Sequence, residues 1–188
     1  MDDLNHNGSD KLRKGRISIA GARYFLTITT RERRFGLTDG GVPTCLMNAF
    51  RILHKGGDIE FQCSTIMPDH LHVLVVLGQR LSLSQVVRKF KRLTKSQLLS
   101  RGIEWQSNFF DHRLRLDDAS EAFARYIFLN PYRKGLIQLE ATWPWWTVSA
   151  NYRPEFLGAL SLEGYPPSEW LGNQLDLVEI IESDRVEG

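Results

Sequence analysis

Two histidines, one residue apart, are the first side chains in this sequence that could perform chemistry together. His70 and His72 stand at the head of a short apolar run that extends to Leu77 and is followed by Gly78. A run of this length, rich in Val and Leu, predicts a buried β-strand. Alternate residues of a strand share a face, so both imidazoles would point the same way with Cα atoms about 6.5–7 Å apart. That spacing allows both rings to bind one cation, although two such histidines can also be buried, hydrogen-bonded and inert.

Tyr126 and Asn130 supply two further candidate groups. Residues four apart on a helix lie on one face, about 6 Å apart along its axis. The amide oxygen of Asn130 is a suitable third ligand for a hard cation beside two imidazoles. A tyrosine phenol, with an ordinary pKa of about 10, is a poor nucleophile at neutral pH, but a cation on a substrate phosphate and nearby Lys or Arg would favour its attack. The four residues therefore predict a phosphodiester transesterification site.

A mixed helix and strand fold must hold these residues. The predicted order is strand, helix, strand, strand, helix, strand, helix, beginning at Arg23 and ending near Asn130. Pro68 and Asp69 form a turn that pairs the histidine strand with the preceding strand as an antiparallel hairpin. This order predicts an α+β fold: a ferredoxin-like (split βαβ) antiparallel sheet of about four strands, with helices on one face and a C-terminal extension.

Local signals set the boundaries of the predicted helices. Pro43 suits a first helical turn, and Gly56 marks the end of that helix. Ser82 or Ser84 caps the second helix, and Pro131 predicts an end or a kink near Asn130 in the third. The expected apolar stripe of the second helix is Leu83, Val86, Val87, Phe90, Leu93 and Leu98.

The net charge of +2 conceals an uneven distribution of charge. Residues 11–34 contain eight Lys or Arg and one Glu, and residues 80–115 contain nine Lys or Arg and two acids. Basic blocks of this kind suit a polyanion such as nucleic acid, although a basic helix face can also be merely solvated. Residues 161–188 reverse the balance, with seven acids and one Arg. The candidate nucleic-acid contacts are Arg88, Lys89, Arg92 and Lys95 on the second helix, and Arg133.

Composition narrows the class of protein. The 188 residues are 42% hydrophobic and include only two cysteines, neither in a CxxC pair, which argues against a disulfide framework. Neither a signal peptide nor a membrane span is predicted, so we expect a cytoplasmic, nucleoid-associated protein. The predicted organisation is a flexible arm over 1–15, a catalytic domain over 16–150 and an acidic extension over 151–188.

Three segments together resemble the single-tyrosine HUH transposases, and most of all their REP-associated branch. They are Met67-Pro68-Asp69-His70-Leu71-His72, then Trp105-Gln106 with Phe109-Phe110-Asp111-His112, and Tyr126-Ile127-Phe128-Leu129-Asn130-Pro131-Tyr132-Arg133-Lys134-Gly135-Leu136. The likeness takes in Tyr24-Phe25 and covers about residues 16–150. The family commonly has an aliphatic residue where this chain has Tyr132, which puts a second tyrosine near the site.

The resemblance implies a specific activity. His70, His72 and Asn130 would bind Mg²⁺ or Mn²⁺, and Tyr126 would attack single-stranded DNA to leave a 5′-phosphotyrosine and a free 3′-OH. The expected substrate is a hairpin of a repeated palindromic element. Insertion-sequence relatives act as dimers, which leaves a homodimer as an option here.

Other functions remain as alternatives. A non-catalytic hairpin-binding module derived from such a transposase is the main one. A histidine-triad nucleotide hydrolase would need a further histidine where this chain has Leu74, and a two-histidine phosphoesterase would need a second His-x-Ser/Thr element. A zinc site that uses Cys63 with His70 and His72 lacks the spacing of known zinc frameworks.

Overall fold

The histidine strand is the central strand of a five-stranded sheet in the computed structural model, which describes residues 18–115, 119–172 and 177–186. The strands are β1 (Arg23–Thr29), β2 (Ile59–Ile66), β3 (His70–Leu77), β4 (Phe110–Arg113) and β5 (Trp146–Val148). Their order is β4-β1-β3-β2-β5, and every neighbouring pair is antiparallel. The predicted α+β class and split βαβ arrangement are confirmed.

The helices alternate with these strands. They are α1 (Val42–Lys55), α2 (Leu83–Leu99), α3 (Ala119–Arg133), α4 (Glu169–Gly172) and α5 (Leu177–Val186), with 3-10 turns at Arg31–Arg33 and Glu155–Ala159. The start of α1 near Pro43 and its end before Gly56 are as predicted. Ser82 caps α2: its hydroxyl accepts the Gln85 N–H, and the Gln85 side chain accepts the Ser82 N–H.

Helices cover both faces of the sheet rather than one. One core joins α1 and α2 to Leu71, Val73 and Val75 of β3. The other core joins α3 to Leu74 and to residues from the C-terminal segment. Because β3 is apolar on both faces, each face must be covered. The fifth strand, β5, was also not expected: its three residues are too few to show an alternating pattern.

One position of the predicted α2 stripe differs. Leu93 is 36% exposed, whereas Thr94 is fully buried. The Thr94 hydroxyl donates to the Phe90 carbonyl one turn earlier and accepts the Trp105 indole N–H. A buried threonine is tolerated there because both hydrogen-bonding functions of its hydroxyl are satisfied.

The described part of the C-terminal extension packs on α3. Phe156, Trp170 and Ile180 belong to the same core as that helix or pack against it. The Glu121 carboxylate on α3 accepts the backbone N–H groups of Glu155 and Phe156 at 2.9 and 2.7 Å, which caps the second 3-10 turn. These contacts fix the helix that carries Tyr126. The predicted arm over 1–15 lies outside the described residues.

The tryptophan-rich segment Trp143-Pro144-Trp145-Trp146 packs at the edge of the core. The Trp143 indole donates to the Ile66 carbonyl at 3.0 Å, and Trp146 packs edge-on against Phe128. The first contact and the β2–β5 pairing hold the segment along β2, and the second joins it to α3. No helix among residues 18–115, 119–172 and 177–186 is long and apolar enough to cross a bilayer.

Candidate active site

The two histidines converge on one point at the start of β3. His70 and His72 are 8% and 4% exposed, and their Nε2 atoms lie 3.1 Å apart. In the antiparallel register His72 is opposite Thr27 on β1 and Thr65 on β2. Directly paired residues share a face of the sheet, so Thr27, His72 and Thr65 lie on one face. Leu74, two residues after His72 on β3, lies on the same face and belongs to the core that contains α3. The helix α3 therefore covers the face that carries the histidines.

Each imidazole has a hydrogen-bond partner at its Nδ1 atom. Asp69 Oδ1 lies 2.6 Å from His70 Nδ1. An ionised carboxylate only accepts hydrogen bonds, so His70 carries its proton on Nδ1 and presents a lone pair on Nε2. Thr27 Oγ1 lies 2.9 Å from His72 Nδ1 and can donate or accept. Orienting partners of this kind are typical of metal-binding histidines.

The surroundings favour neutral rings. Burial lowers the pKa of His72 well below its usual value, and the charges of His70, Arg33 and Lys134 act in the same direction. Burial also lowers the pKa of His70, although the hydrogen bond and charge of Asp69 oppose that shift. A neutral imidazole is the form that binds a metal ion.

Tyr126 lies against the histidine pair. Its ring packs edge-on to His72 with centroids 5.6 Å apart, and Phe25 contacts both residues from β1, at 5.3 Å from His72 and 5.9 Å from Tyr126. The Arg133 guanidinium lies 5.1 Å from the Tyr126 ring centroid. A cation over a tyrosine ring is favourable in itself, and it puts positive charge beside the phenol.

Asn130 follows Tyr126 by one helical turn. The helix α3 continues through Pro131 to Arg133, so Asn130 keeps helical geometry and the predicted break falls later. Asn130 is 3% exposed, and its side-chain oxygen is buried without a hydrogen-bond partner among the described residues. Burial of an oxygen without a hydrogen-bond partner lowers the stability of the fold unless a ligand binds that oxygen.

The donor set fits an octahedral divalent cation. Two neighbouring ligands with bonds of about 2.1 Å to such an ion are about 3.0 Å apart, and the two Nε2 atoms are 3.1 Å apart. Imidazole nitrogens and amide oxygens are both ligands of divalent cations. Within the part of the chain that the structure describes, no cluster of three His, Cys, Asp or Glu residues could hold a metal, so the fit depends on Asn130.

Three other residues, Tyr132, Cys63 and His112, are buried. The Tyr132 hydroxyl donates to the Ala141 carbonyl at 2.8 Å, and burial raises its pKa. Cys63 is fully buried opposite Leu74, two residue pairs along the sheet from His72. Because no group of three His, Cys, Asp or Glu among the described residues could hold a metal ion, the zinc alternative has no support. The His112 ring stacks on Phe123 with centroids 5.3 Å apart.

A strained turn flanks the pair. Glu32 and Arg33 both have a φ of +56°, a conformation that costs on the order of 1–2 kcal/mol for each such residue. The turn is fastened at both ends, by Arg31 N–H to the Glu104 carbonyl at 2.7 Å and by Gly36 N–H to the Pro68 carbonyl at 2.9 Å. It brings Arg33 Nη1 to 3.2 Å from Asp69 Oδ2.

The basic residues of α2 differ in their exposure and in their partners. Arg88, Arg92 and Lys95 are exposed. Lys89 instead pairs with the buried carboxylate of Asp58. Lys91 donates to the carbonyls of residues 106, 107 and 108, and burial lowers its pKa to about 8. Two cavities of about 460 and 450 Å³ flank this loop, lined in part by Arg88 and by Arg92 with Lys95.

Sequence reasoning did not assign site roles to Thr27, Phe25 or Arg33. The alternation of β1 puts Phe25 and Thr27 on one face, but the residue of β3 that each one faces depends on the register. No sequence pattern marked Arg33 as a site residue. Its position depends on left-handed backbone at Glu32 and Arg33, which is unusual for residues of these types and is not expected from the sequence.

This chain is similar to known transposases in sequence and in fold. Residues 18–128 match the protein family described as "Transposase IS200 like". A protein of Haemophilus influenzae, provisionally named a REP-associated tyrosine transposase, is 25% identical over 174 residues, covering 81% of this chain and 89% of its own length. The REP-associated tyrosine transposase of Escherichia coli K12 is 22% identical over 163 residues, covering 86% of this chain and 92% of its own length.

A solved structure is similar as well. It is that of a REP-associated tyrosine transposase bound to a REP hairpin, with a TM-score of 0.61 and 25% sequence identity. The similarity covers 70% of this chain and 79% of that chain.

Proposed function

Since the chain belongs to the IS200-like transposase family, we propose that it is a single-stranded DNA endonuclease and strand transferase that acts at hairpins of repeated palindromic elements. The observation that carries the proposal is the contact of Tyr126 with His72, whose Nε2 converges with that of His70. The similar transposase bound to a REP hairpin supports the choice of substrate. Such a substrate implies that the protein acts at the nucleoid.

Tyr126 is the nucleophile in this proposal. Its phenolic oxygen bonds to the phosphorus of the scissile phosphodiester, and the bond from phosphorus to the 3′ oxygen breaks. The phenol loses its proton and the leaving 3′ oxygen gains one, which gives a 5′-phosphotyrosine and a free 3′-OH. Arg133, over the Tyr126 ring, stabilises the phenolate as the proton departs.

His70, His72 and Asn130 are the proposed ligands of Mg²⁺ or Mn²⁺. Bound there, such an ion supplies Lewis-acid polarisation of the scissile phosphate. Asp69 and Thr27 keep the two rings oriented through their Nδ1 atoms. All of these residues belong to one chain, so a second copy is not required to complete the site.

The exposed cations of α2 are the proposed backbone contacts. Arg88, Arg92 and Lys95 project into solvent and line the cavities beside residues 106–108, and Lys89 joins them only if it leaves Asp58. Phosphate contacts of this kind position the DNA without reading its sequence.

A cleavage assay on labelled hairpin DNA tests the proposal. With Mg²⁺ or Mn²⁺, the parent chain should form a protein–DNA adduct that survives a denaturing gel and disappears on protease treatment. Tyr126→Phe should abolish the adduct and leave hairpin affinity within about twofold. Tyr132→Phe is the matched control and should keep the adduct, since its hydroxyl is committed to Ala141.

Two outcomes would contradict the proposal. An adduct that persists in Tyr126→Phe would exclude this residue as the nucleophile. Tight hairpin binding with no adduct in either metal would instead favour the non-catalytic hairpin-binding module.

A further inference from the structure

Asp69 joins the strained turn to the histidine pair. Its two carboxylate oxygens have different partners: Oδ1 lies 2.6 Å from His70 Nδ1, and Oδ2 lies 3.2 Å from Arg33 Nη1. The Asp69 side chain is 14% exposed, whereas that of Arg33 is 64% exposed. The carboxylate that orients His70 is therefore itself held by a surface arginine.

The backbone is strained at the residues that deliver this arginine. Glu32 and Arg33 both adopt left-handed backbone, and an exposed ion pair returns too little stability to offset that cost. Strained positions persist where the surrounding structure imposes them, and they are found most often at functional sites. The hydrogen bonds of Thr30 to the Asp69 carbonyl, from its N–H and its hydroxyl at 2.9 Å each, bind the turn to this same residue.

We propose that Arg33 is a positioning residue, which fixes the Asp69 carboxylate and through it the ring plane and tautomer of His70. This inference rests on the proposed function, because its purpose is to aim His70 Nε2 at the divalent cation. The Arg33 guanidinium pairs with Asp69 and not with His70 itself. Its positioning effect passes through Asp69, and its only other effect on the site is that of its charge.

The charge of Arg33 makes the inference sharply testable. By charge alone a guanidinium repels a divalent cation, so its removal would tighten Mn²⁺ binding. As a positioning residue it does the opposite, and its removal weakens binding. The sign of the change therefore separates the two effects.

Mn²⁺ titration of the full chain, followed by the EPR signal of free Mn²⁺, is the experiment. Removal of a side chain that directly orients a ligand weakens metal binding by about 10–100-fold, and Arg33 is one step further away. We expect Arg33→Gln to raise the dissociation constant by about three- to tenfold, with partial recovery in Arg33→Lys. Arg31→Gln is the matched control, since Arg31 lies in the same turn with 66% exposure but pairs with Glu104; it should stay within about twofold.

Asp69→Asn provides the test of the route. If Arg33 positions His70 through Asp69, then Arg33→Gln causes no further weakening of Mn²⁺ binding in the Asp69→Asn background. If the double variant shows the product of the two single fold-changes in dissociation constant, the proposal is overturned. An unchanged or lower dissociation constant in Arg33→Gln also overturns it. A parent chain that binds no Mn²⁺ overturns the proposed cation site and this inference with it, whereas normal binding in both the parent and Arg33→Gln overturns the inference alone.

A metal-free measurement supports the titration. The ¹⁵N chemical shifts of His70 should report the Nδ1–H tautomer in the parent chain and a mixture of tautomers in Arg33→Gln. Identical tautomer populations in the two proteins would contradict a positioning role.

Discussion

Replacement of Asn130 by leucine should make the protein more stable and its cation site weaker. The Asn130 side-chain oxygen is buried without a partner among the described residues, so the metal-free protein carries an unsatisfied polar atom on a buried helix face. Leucine has the same branched shape, is bulkier and has no polar atom. The substitution therefore removes a penalty from the folded state and, in this account, a ligand from the site.

The two effects can be given magnitudes. A buried unsatisfied polar group costs about 1–3 kcal/mol, and each kcal/mol shifts the Tm of a chain of this size by roughly 2–4 °C. The metal-free Asn130→Leu protein should therefore melt about 2–12 °C higher than the parent. In Mn²⁺ at 100 times its dissociation constant the parent gains about 2.7 kcal/mol, whereas a site ten times weaker gains about 1.4 kcal/mol.

Thermal unfolding with and without Mn²⁺ measures both effects on the same samples. Thr65→Val is the control, because the Thr65 hydroxyl oxygen is also buried with no partner in the described part of the chain but is not a proposed ligand. That variant should melt higher than the parent and keep the full Mn²⁺ shift. A full Mn²⁺ shift in Asn130→Leu would refute the assignment of Asn130 as a ligand.

Two further predictions concern α2. Hairpin affinity should fall as the salt concentration rises. The double variant Arg92→Gln, Lys95→Gln should reduce the slope of log affinity against log salt by about 0.7–0.9 for each phosphate that it no longer neutralises. An equal reduction in the control variant Arg51→Gln, on α1, would contradict the assignment of α2 as the DNA-binding surface. Lys89→Met should lower the free energy of unfolding in urea by about 1.5–3 kcal/mol, because it leaves the buried Asp58 carboxylate unpaired. Addition of Asp58→Asn should restore part of that stability. Unchanged stability in Lys89→Met would show that the pair does not stabilise the fold.

Local signals explain why much of the fold and site could be predicted from the sequence. The apolar run after His70 and His72 specified a buried strand, and period 2 put both rings on one face. Pro43, Gly56 and Ser82 marked helix ends because their conformational preferences act within a single turn. The interval of four from Tyr126 to Asn130 put both on one helical face, and the structure keeps them there.

The remaining features depend on tertiary structure. That Thr27 faces His72 follows from the β1–β3 register, which a single strand does not specify. The apolar run of β3 requires cover on both faces, but which helix covers which face depends on tertiary packing. The left-handed backbone at Glu32 and Arg33 is imposed by hydrogen bonds to distant residues, so nothing near it in the sequence signals it.

The most direct test of the central claim is to identify the residue that becomes joined to DNA. The adduct formed with hairpin DNA and Mg²⁺ or Mn²⁺ would be digested with protease and nuclease and analysed by mass spectrometry. The account predicts one modified peptide, with a 5′-phosphate linkage on Tyr126 and none on Tyr132. A linkage on another residue, or a tyrosine joined to a 3′-phosphate, would contradict it.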